Sequence, residues 1–295
     1  MMSFQAGFIA VIGRPNMGKS TLINELIGQK LSITSHRPQT TRHRINGIDT
    51  TDDYQMVFVD TPGMHIGNKK AINAYMNREA SSSIEQVDII LWLVEAGRWT
   101  KEDDRVLEHV SKSTIPVILC VNKIDKLASQ SDVLPYLQDI SEKYQPTEVF
   151  PLSAFNKKDV AHLRALILKY LPEQAIIFDE NLITDRSEKF VVAEFIREKL
   201  MRHLSDELPY DLTVEVEKYE LDGNLQRIAA RIYVDKPSQK NIVIGHKGEM
   251  LKTIGTEARR SIEGFLDRKV FLQLWVKVSK GWSDDRRSLA SLGYD

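Results

Sequence analysis

The sequence predicts an α/β protein, a doubly wound and mostly parallel sheet followed by a smaller α+β unit. Three observations lead there. Phe8-Ile9-Ala10-Val11-Ile12 is an apolar run that enters a glycine-rich turn, after which Leu22, Ile23, Leu26 and Ile27 recur at helical spacing. Short apolar runs then alternate with helix-period segments as far as Leu171, the pattern of parallel strands joined by crossover helices. Beyond residue 186 the strands change to the cleanly alternating, half-buried kind.

A chain of 295 residues suggests about two domains. The boundaries fall at residues 1–172 and 187–295, with the polar, weakly periodic stretch 173–186 as linker. Hydrophobic content of 42% and charged content of 27% describe an ordinary globular chain, and the net charge of −1 excludes a globally basic protein but not a local basic patch. The single cysteine, Cys120, sits in the apolar run 117–121 and reads as a core thiol; no disulfide within the chain is possible, which fits a reducing compartment. Met1 to Gln5 lacks the basic-then-apolar pattern of a secretory signal, and no 18 apolar residues run together. A cytoplasmic protein is expected. The histidines show no pair at metal-ligand spacing.

The turn after the first strand is Gly13-Arg14-Pro15-Asn16-Met17-Gly18-Lys19-Ser20, with Thr21 next in the helix. Strand, glycine-rich turn and helix together make this G-x-x-x-x-G-K-S match a P-loop. Its backbone N–H groups and the helix N-terminus face phosphate oxygens, Lys19 reaches the β/γ phosphates, and Ser20 offers a hydroxyl to Mg²⁺. Residues 29–44 are polar and poorly periodic and read as a long functional loop that includes Thr40 and Thr41. Strands follow at 45–49 and 55–60, the second ending in Asp60-Thr61-Pro62-Gly63. A carboxylate at that strand end stands behind the Mg²⁺ ligands of such proteins, and the Gly63 N–H is placed to feel the γ-phosphate.

A strand at 88–95, a helix at 101–112 and a buried strand at 116–121 lead to Asn122-Lys123-Ile124-Asp125. The Asp125 carboxylate can accept from guanine N1–H and its exocyclic amine together, whereas adenine would leave it unpaired. Lys123 would lie along the base, and Asn122 would tie this loop to the P-loop. The strand 148–152 ends in Ser153-Ala154, whose backbone N–H groups suit guanine O6, and a helix at 157–171 closes the unit before Pro172.

In the second unit the order is helix (188–204), strand (212–218), strand (228–234), helix, helix (249–265), strand (270–278). Gly245-His246-Lys247-Gly248 joins the two adjacent helices. A lone G-x-x-G also fits any tight turn. Between two helices and carrying Lys247, it suits a grip on the backbone of single-stranded nucleic acid, as in KH domains. From Arg231 to Lys280 there are 11 Lys/Arg and 5 Asp/Glu, a net of +6, which is either a solvated charged face or a nucleic-acid footprint. Trp275 and Trp282 have rings able to stack bases; a strand tryptophan is more often core, and neither is placed in the site.

With both halves in view, the chain resembles the Era family of bacterial GTPases over essentially its whole length. GRPNMGKS, QTTRH, DTPG, NKID and SA occur in order, followed by a type II KH unit with VIGHKG; TDRSEKF, REKLMRHL, ELPY and LWVKV are also similar. The resemblance implies GTP/GDP and Mg²⁺ as ligands and slow GTP hydrolysis. It also implies binding of 16S ribosomal RNA near its 3′ end, a role in 30S subunit assembly, loose association with the inner membrane face, and a monomer. It assigns Thr41, in preference to Thr40, as the switch ligand of Mg²⁺ beside Ser20. Met64 follows Gly63 where Ras-like proteins keep a water-orienting glutamine, so no catalytic residue is assigned. A potassium ion or an RNA-bound partner is a candidate to complete the site. Two rivals are a metabolic P-loop kinase, which the guanine signature opposes, and an RNA-binding module with a structural nucleotide, which GTP turnover would separate.

Overall fold

The Phe8–Ile12 run forms the third strand of a six-stranded sheet, covered on both faces as its composition requires. The structure, a computed structural model, describes residues 3–35, 37, 40–62, 71–82, 86–127, 129, 133–205, 208–285, 289–290, 292 and 294. The chain divides into two units, drawn from residues 1–32, 41–67 and 76–185 and from residues 33–40, 68–75 and 186–295.

In the first unit the elements run β1 (Gln5–Ile12), α1 (Lys19–Ile27), β2 (Ile45–Thr50), β3 (Tyr54–Asp60), the latter part of α2 (Ala71–Ser82, of which residues 71–75 fall in the second unit), β4 (Ile89–Glu95), α3 (Lys101–Val110), β5 (Val117–Asn122), α4 (Val133–Lys143), β6 (Glu148–Leu152) and α5 (Lys157–Leu168). The sheet order is β2-β3-β1-β4-β5-β6, parallel throughout except for β2 against β3. Alternate residues of one strand serve different cores. Ile9, Val11, Leu91 and Cys120 pack with α1 and α5 through Leu22, Leu26, Leu163 and Ile167. Ala10, Trp92, Val94 and Leu119 pack on the other face with Val106, Val110 and Ile140 of α3 and α4. Burial pushes the Cys120 thiol up, as expected of a core residue.

Helices α2 and α4 have no counterpart in the sequence reading. Tyr136, Leu137, Ile140 and Tyr144 do recur at helical spacing and pack on the second core, so the signal for α4 exists but is short. Residues 173–185, read as linker, lie along the first unit. Glu173 bridges Gln5, Thr184 bridges Gly47, and the Ile177 and Phe178 N–H groups both donate to the Gln55 side chain.

The second unit comprises α6 (Glu188–His203), β7 (Leu212–Asp222), β8 (Leu225–Val234), α7 (Pro237–Ile244), α8 (Glu249–Leu266) and β9 (Lys269–Val278). β7 pairs antiparallel with β8, and β8 parallel with β9, which is the type II KH topology. β7 runs four residues beyond the expected 212–218 because the Gly223-Asn224 turn extends the hairpin. Ile228, Ala230, Ile232 and Val276 are buried from the sheet, and Phe195, Ile254, Ala258 and Ile262 from the helices, with Phe195 and Phe265 edge to face at 5.6 Å. Residues 33–40 are held by α6. The Thr34 N–H and hydroxyl donate to Glu198, and Arg197 donates to the Thr40 carbonyl.

The two tryptophans separate. Trp282 is fully buried, its indole N–H on the Asp211 carbonyl at 3.1 Å. Trp275 is 48% exposed, which corrects its reading as core: it stands on the face of β9 that the helices do not cover. Trp282→Ala should therefore destabilise the second unit by about 3–5 kcal/mol. Urea denaturation followed by circular dichroism checks this, and Trp275→Ala should stay within about 0.5 kcal/mol of the parent.

Candidate nucleotide site and nucleic-acid interface

In the first unit the carboxyl ends of β1, β3, β5 and β6 deliver the four motif-bearing loops to one edge of the sheet. The turn from β1 into α1 needs backbone that few side chains allow. Gly13 has φ of 142° and a Cβ there would meet the Leu93 carbonyl oxygen at 2.4 Å; Gly18 has φ of 94° and a Cβ would meet Asn122 Nδ2 at 2.6 Å. Asn16 also takes a left-handed conformation, φ 66°. Pro15 and Asn16 form the outer part of the turn, while Met17 is buried in the core. Thr21 lies in the first turn of α1.

Lys19 is buried, its ammonium donating to the Gly13 and Arg14 carbonyls at 2.9 and 3.1 Å. Burial pulls its pKa down to about 8, with the Asp60 charge opposing that shift and the Arg14 charge adding to it. Ser20 Oγ donates to Asp60 Oδ2 at 2.9 Å and lies 3.2 Å from the Thr41 hydroxyl, which itself is 3.5 Å from the same carboxylate oxygen. Asp60 is fully buried and its Oδ1 has no hydrogen-bond partner among the described residues. Burial raises the Asp60 pKa, against the pull of Lys19 and the surrounding hydroxyls. Thr40 does not join this cluster, since its hydroxyl donates to the Arg37 carbonyl at 2.6 Å. Thr61 and Pro62 follow Asp60, with the Thr61 hydroxyl on the Val11 carbonyl at 3.0 Å. Gly63 and Met64 lie outside the described residues.

Asn122, at the end of β5, donates from Nδ2 to the Met17 carbonyl at 2.7 Å. Its Oδ1 accepts from the Lys123 N–H at 2.8 Å and the Ala154 N–H at 3.0 Å. The Ser153 N–H donates to Asp159 at 2.9 Å. Both amides proposed for guanine O6 are thus satisfied within the protein, so a purine oxygen reaching Ala154 shares that N–H with Asn122 or takes it over. Asp125 is exposed on the one-turn 3-10 helix Ile124–Lys126.

Two residues that the motif reading did not use organise this edge. Glu95, at the end of β4, accepts from Arg14 and from Lys123, each at 2.8 Å. Asp103, fully buried in the first turn of α3, accepts from Arg14 Nε at 3.1 Å and from the Thr100 N–H and hydroxyl, each at 2.9 Å. Burial alone would raise the Glu95 pKa; the Lys123 and Arg14 hydrogen bonds and charges outweigh it and hold it low. Thr100-x-x-Asp103 is a capping-box spacing, the one signal in the sequence for the Asp103 position.

In the second unit α7 ends at Ile244 and α8 begins at Glu249, with His246–Gly248 a single tight turn between them. Gly245 has φ of 73°, and a Cβ there would meet Met250 Cβ at 2.6 Å; Gly248 has φ of 84° and open space around it. Lys247 adopts φ 47°, and both His246 and Lys247 are exposed. The turn thus presents an imidazole and a cation flanked by small residues at a helix N-terminus.

Family models match in both units: a 50S ribosome-binding GTPase over residues 8–123 and a KH domain over residues 207–283. Fold and site together define a P-loop GTPase joined to a KH domain. The chain is 50% identical over 290 residues to GTPase Era of Pseudomonas putida (strain W619), covering 98% of this chain and 97% of that one. It is 49% identical over 290 residues to GTPase Era of Vibrio parahaemolyticus, covering 98% and 91%. Among solved structures, a variant of Aquifex aeolicus Era bound to GDP.AlF4− matches with a TM-score of 0.95 at 36% identity over 99% of both chains. Era in complex with MgGDPNP and nucleotides 1506–1542 of 16S ribosomal RNA matches with a TM-score of 0.94 at 36% identity, again over 99% of both. The chain belongs to the Era family of GTPases.

Because Asn122 satisfies groups in three loops, Asn122→Ala should leave the Met17 carbonyl and the Ala154 N–H unpaired. A loss of about 1–3 kcal/mol per buried group is expected in denaturant unfolding of the nucleotide-free protein.

Proposed function

We propose that the chain is a GTP-hydrolysing switch whose KH unit binds 16S ribosomal RNA near its 3′ end during assembly of the 30S subunit. The observation that carries the reading is one sheet edge where a buried lysine, a hydroxyl–carboxylate cluster and an exposed aspartate converge. Gly13 to Thr21 supply backbone N–H groups and the positive end of α1 to the phosphates, and Lys19 supplies the charge.

Ser20, Thr41 and Asp60 fit a magnesium ion, being hard oxygen donors grouped around a buried carboxylate with one orphaned oxygen. When bound, the ion supplies neutralisation of charge on the β- and γ-phosphate oxygens. The Ser20 and Thr41 hydroxyls would hold it, Asp60 would orient its water, and Thr61, Pro62 and Gly63 would line the γ-phosphate side. A group outside these residues positions the attacking water, with a potassium ion or an RNA-bound partner as candidates, and intrinsic turnover is slow. Family resemblance also supports a cytoplasmic monomer, partly peripheral at the inner membrane face. Among the described residues no helix is long and apolar enough to cross a membrane.

Guanine selection rests on Asp125, with Lys123 along the base and Asn122, Ser153 and Ala154 shaping the pocket edge. Asp125→Asn should lower GTP affinity and shift preference toward xanthine nucleotide, whose C2 oxygen accepts where the guanine amine donates. Competition binding with GTP, XTP and ATP measures this. Equal affinity of the parent for ATP and GTP would overturn the assignment.

The RNA half rests on Gly245, His246, Lys247 and Gly248. The double change His246→Asp and Lys247→Asp puts negative charge where phosphates should lie. RNA affinity should fall, and the slope of log affinity against log salt should flatten by about 0.7 for each phosphate the variant no longer neutralises. GTP affinity should not change. Normal RNA binding by this variant would reduce the loop to a turn.

A further inference from the structure

Strand β9 alternates in a way that the core of its unit does not explain. Val270 and Val276 point inward, while Phe271 and Trp275 on the other side are 43% and 48% exposed. Register places a residue of β8 beside each aromatic or cation: Arg227 opposite Phe271, Arg231 opposite Trp275, and Tyr233 opposite Lys277. The Arg227 guanidinium lies 5.6 Å from the Phe271 ring, while Arg231 and Lys277 lie 6.0 and 5.8 Å from the Tyr233 ring. Between the Phe271 and Trp275 rungs is Ala229 beside Gln273, so the two rings stand apart by roughly 13 Å with a low floor and an exposed amide between them.

We propose that this outer face of β8 and β9 is a second single-stranded RNA platform, separate from the Gly245–Gly248 turn. Bases stack on Phe271 and Trp275, Lys277 meets a phosphate, and Arg227 and Arg231 exchange their solvent-accessible partners Asp222 and Glu217 for phosphates. Sheet faces with spaced aromatic rings recognise single strands in this manner because every base has a π face and every linkage an anion. The charge pattern sets the track. β7 carries Glu215, Glu217, Glu220 and Asp222, two of which pair with Arg231 and Arg227 at 2.6 and 2.8 Å. A polyanion is therefore repelled from β7 and confined to the β8–β9 side. A protein partner fits less well: interface hot spots gather in a continuous desolvated patch, whereas each ring here is separate and has a cation beside it.

The test uses full-length protein and a 20-nucleotide oligoadenylate. Trp275 is read in a Trp99→Phe background, because Trp92 and Trp282 are fully buried and Trp99 is the other partly exposed tryptophan. In that background, RNA should quench Trp275 emission, and Phe271→Ala with Trp275→Ala should weaken binding by roughly tenfold or more. Both side chains are exposed, so GTP turnover and the circular dichroism spectrum should be unchanged. In the His246→Asp, Lys247→Asp background the residual RNA binding should still quench Trp275, and adding the outer-face changes should abolish it. Parental affinity in the outer-face variant together with no Trp275 quenching would overturn the proposal. Retained oligoadenylate binding with lost co-sedimentation on small ribosomal subunits would equally overturn it and make the face a protein contact. Should the Gly245–Gly248 turn variant bind RNA normally, that turn's assignment fails, and the outer face is judged by Phe271 and Trp275 alone.

Discussion

The Asn122 carboxamide works from both ends: Nδ2 donates to the P-loop at Met17, and Oδ1 accepts from the Lys123 and Ala154 backbone. Three loops that follow different strands are thereby tied to one planar group at the end of β5. Because β5 is hydrogen-bonded to β4 and β6 on both sides, that group inherits the rigidity of the sheet rather than the mobility of a loop. The tie also constrains the P-loop sequence. A side chain at position 18 would begin 2.6 Å from Asn122 Nδ2, so the glycine of one motif and the asparagine of another require each other.

The two buried cations of the P-loop are treated differently. Arg14 has carboxylates on both sides, Glu95 and Asp103, and is neutralised within the protein. Among the described residues Lys19 has two carbonyls in direct contact, with the Asp60 charge beyond them, and burial depresses its pKa to about 8. The desolvation of that ammonium is met when the fold forms, so under the proposed function an arriving phosphate would find a donor already stripped of water and fixed in direction. Glu95 extends the arrangement by sharing its carboxylate between Arg14 and Lys123, which places the turn and the loop after β5 on one charge network.

Much of this was legible in the sequence because it depends on short-range rules. Strand, glycine turn and helix at residues 8–27 follow from apolar patterning and from positive φ at glycine, and the KH element order follows from two-residue alternation switching to helical spacing. The parts that were not legible depend on long-range pairing. Arg14 lies 89 residues from Asp103 and 81 from Glu95, and no local pattern announces either partner. The amides of Ser153 and Ala154 read as free donors until the fold brings Asp159 and Asn122 to them. Helix α2 does place Ile72, Tyr75 and Met76 at helical spacing, all buried, but that triplet is a brief signal in an otherwise polar segment.

Trp275 shows how the same two-residue rule can mislead when applied to residue type instead of position. Val270 and Val276 are an even number of residues apart and face the helices; Phe271 and Trp275 share the opposite parity and so face outward whatever their hydrophobicity. Sliding β9 by one residue would bury Trp275 but expose Val270 and Val276, and would break ten consecutive pairs with β8. The inner face has no such latitude, because Ala230, Ile232, Ile254 and Ala258 are all fully buried there and leave no room for an indole. Exposure of the rings is thus the cost of the register that builds the core. The surrounding cations partly offset it by keeping each ring in contact with charge, so the sheet presents separate rings in a polar setting and not a continuous apolar patch.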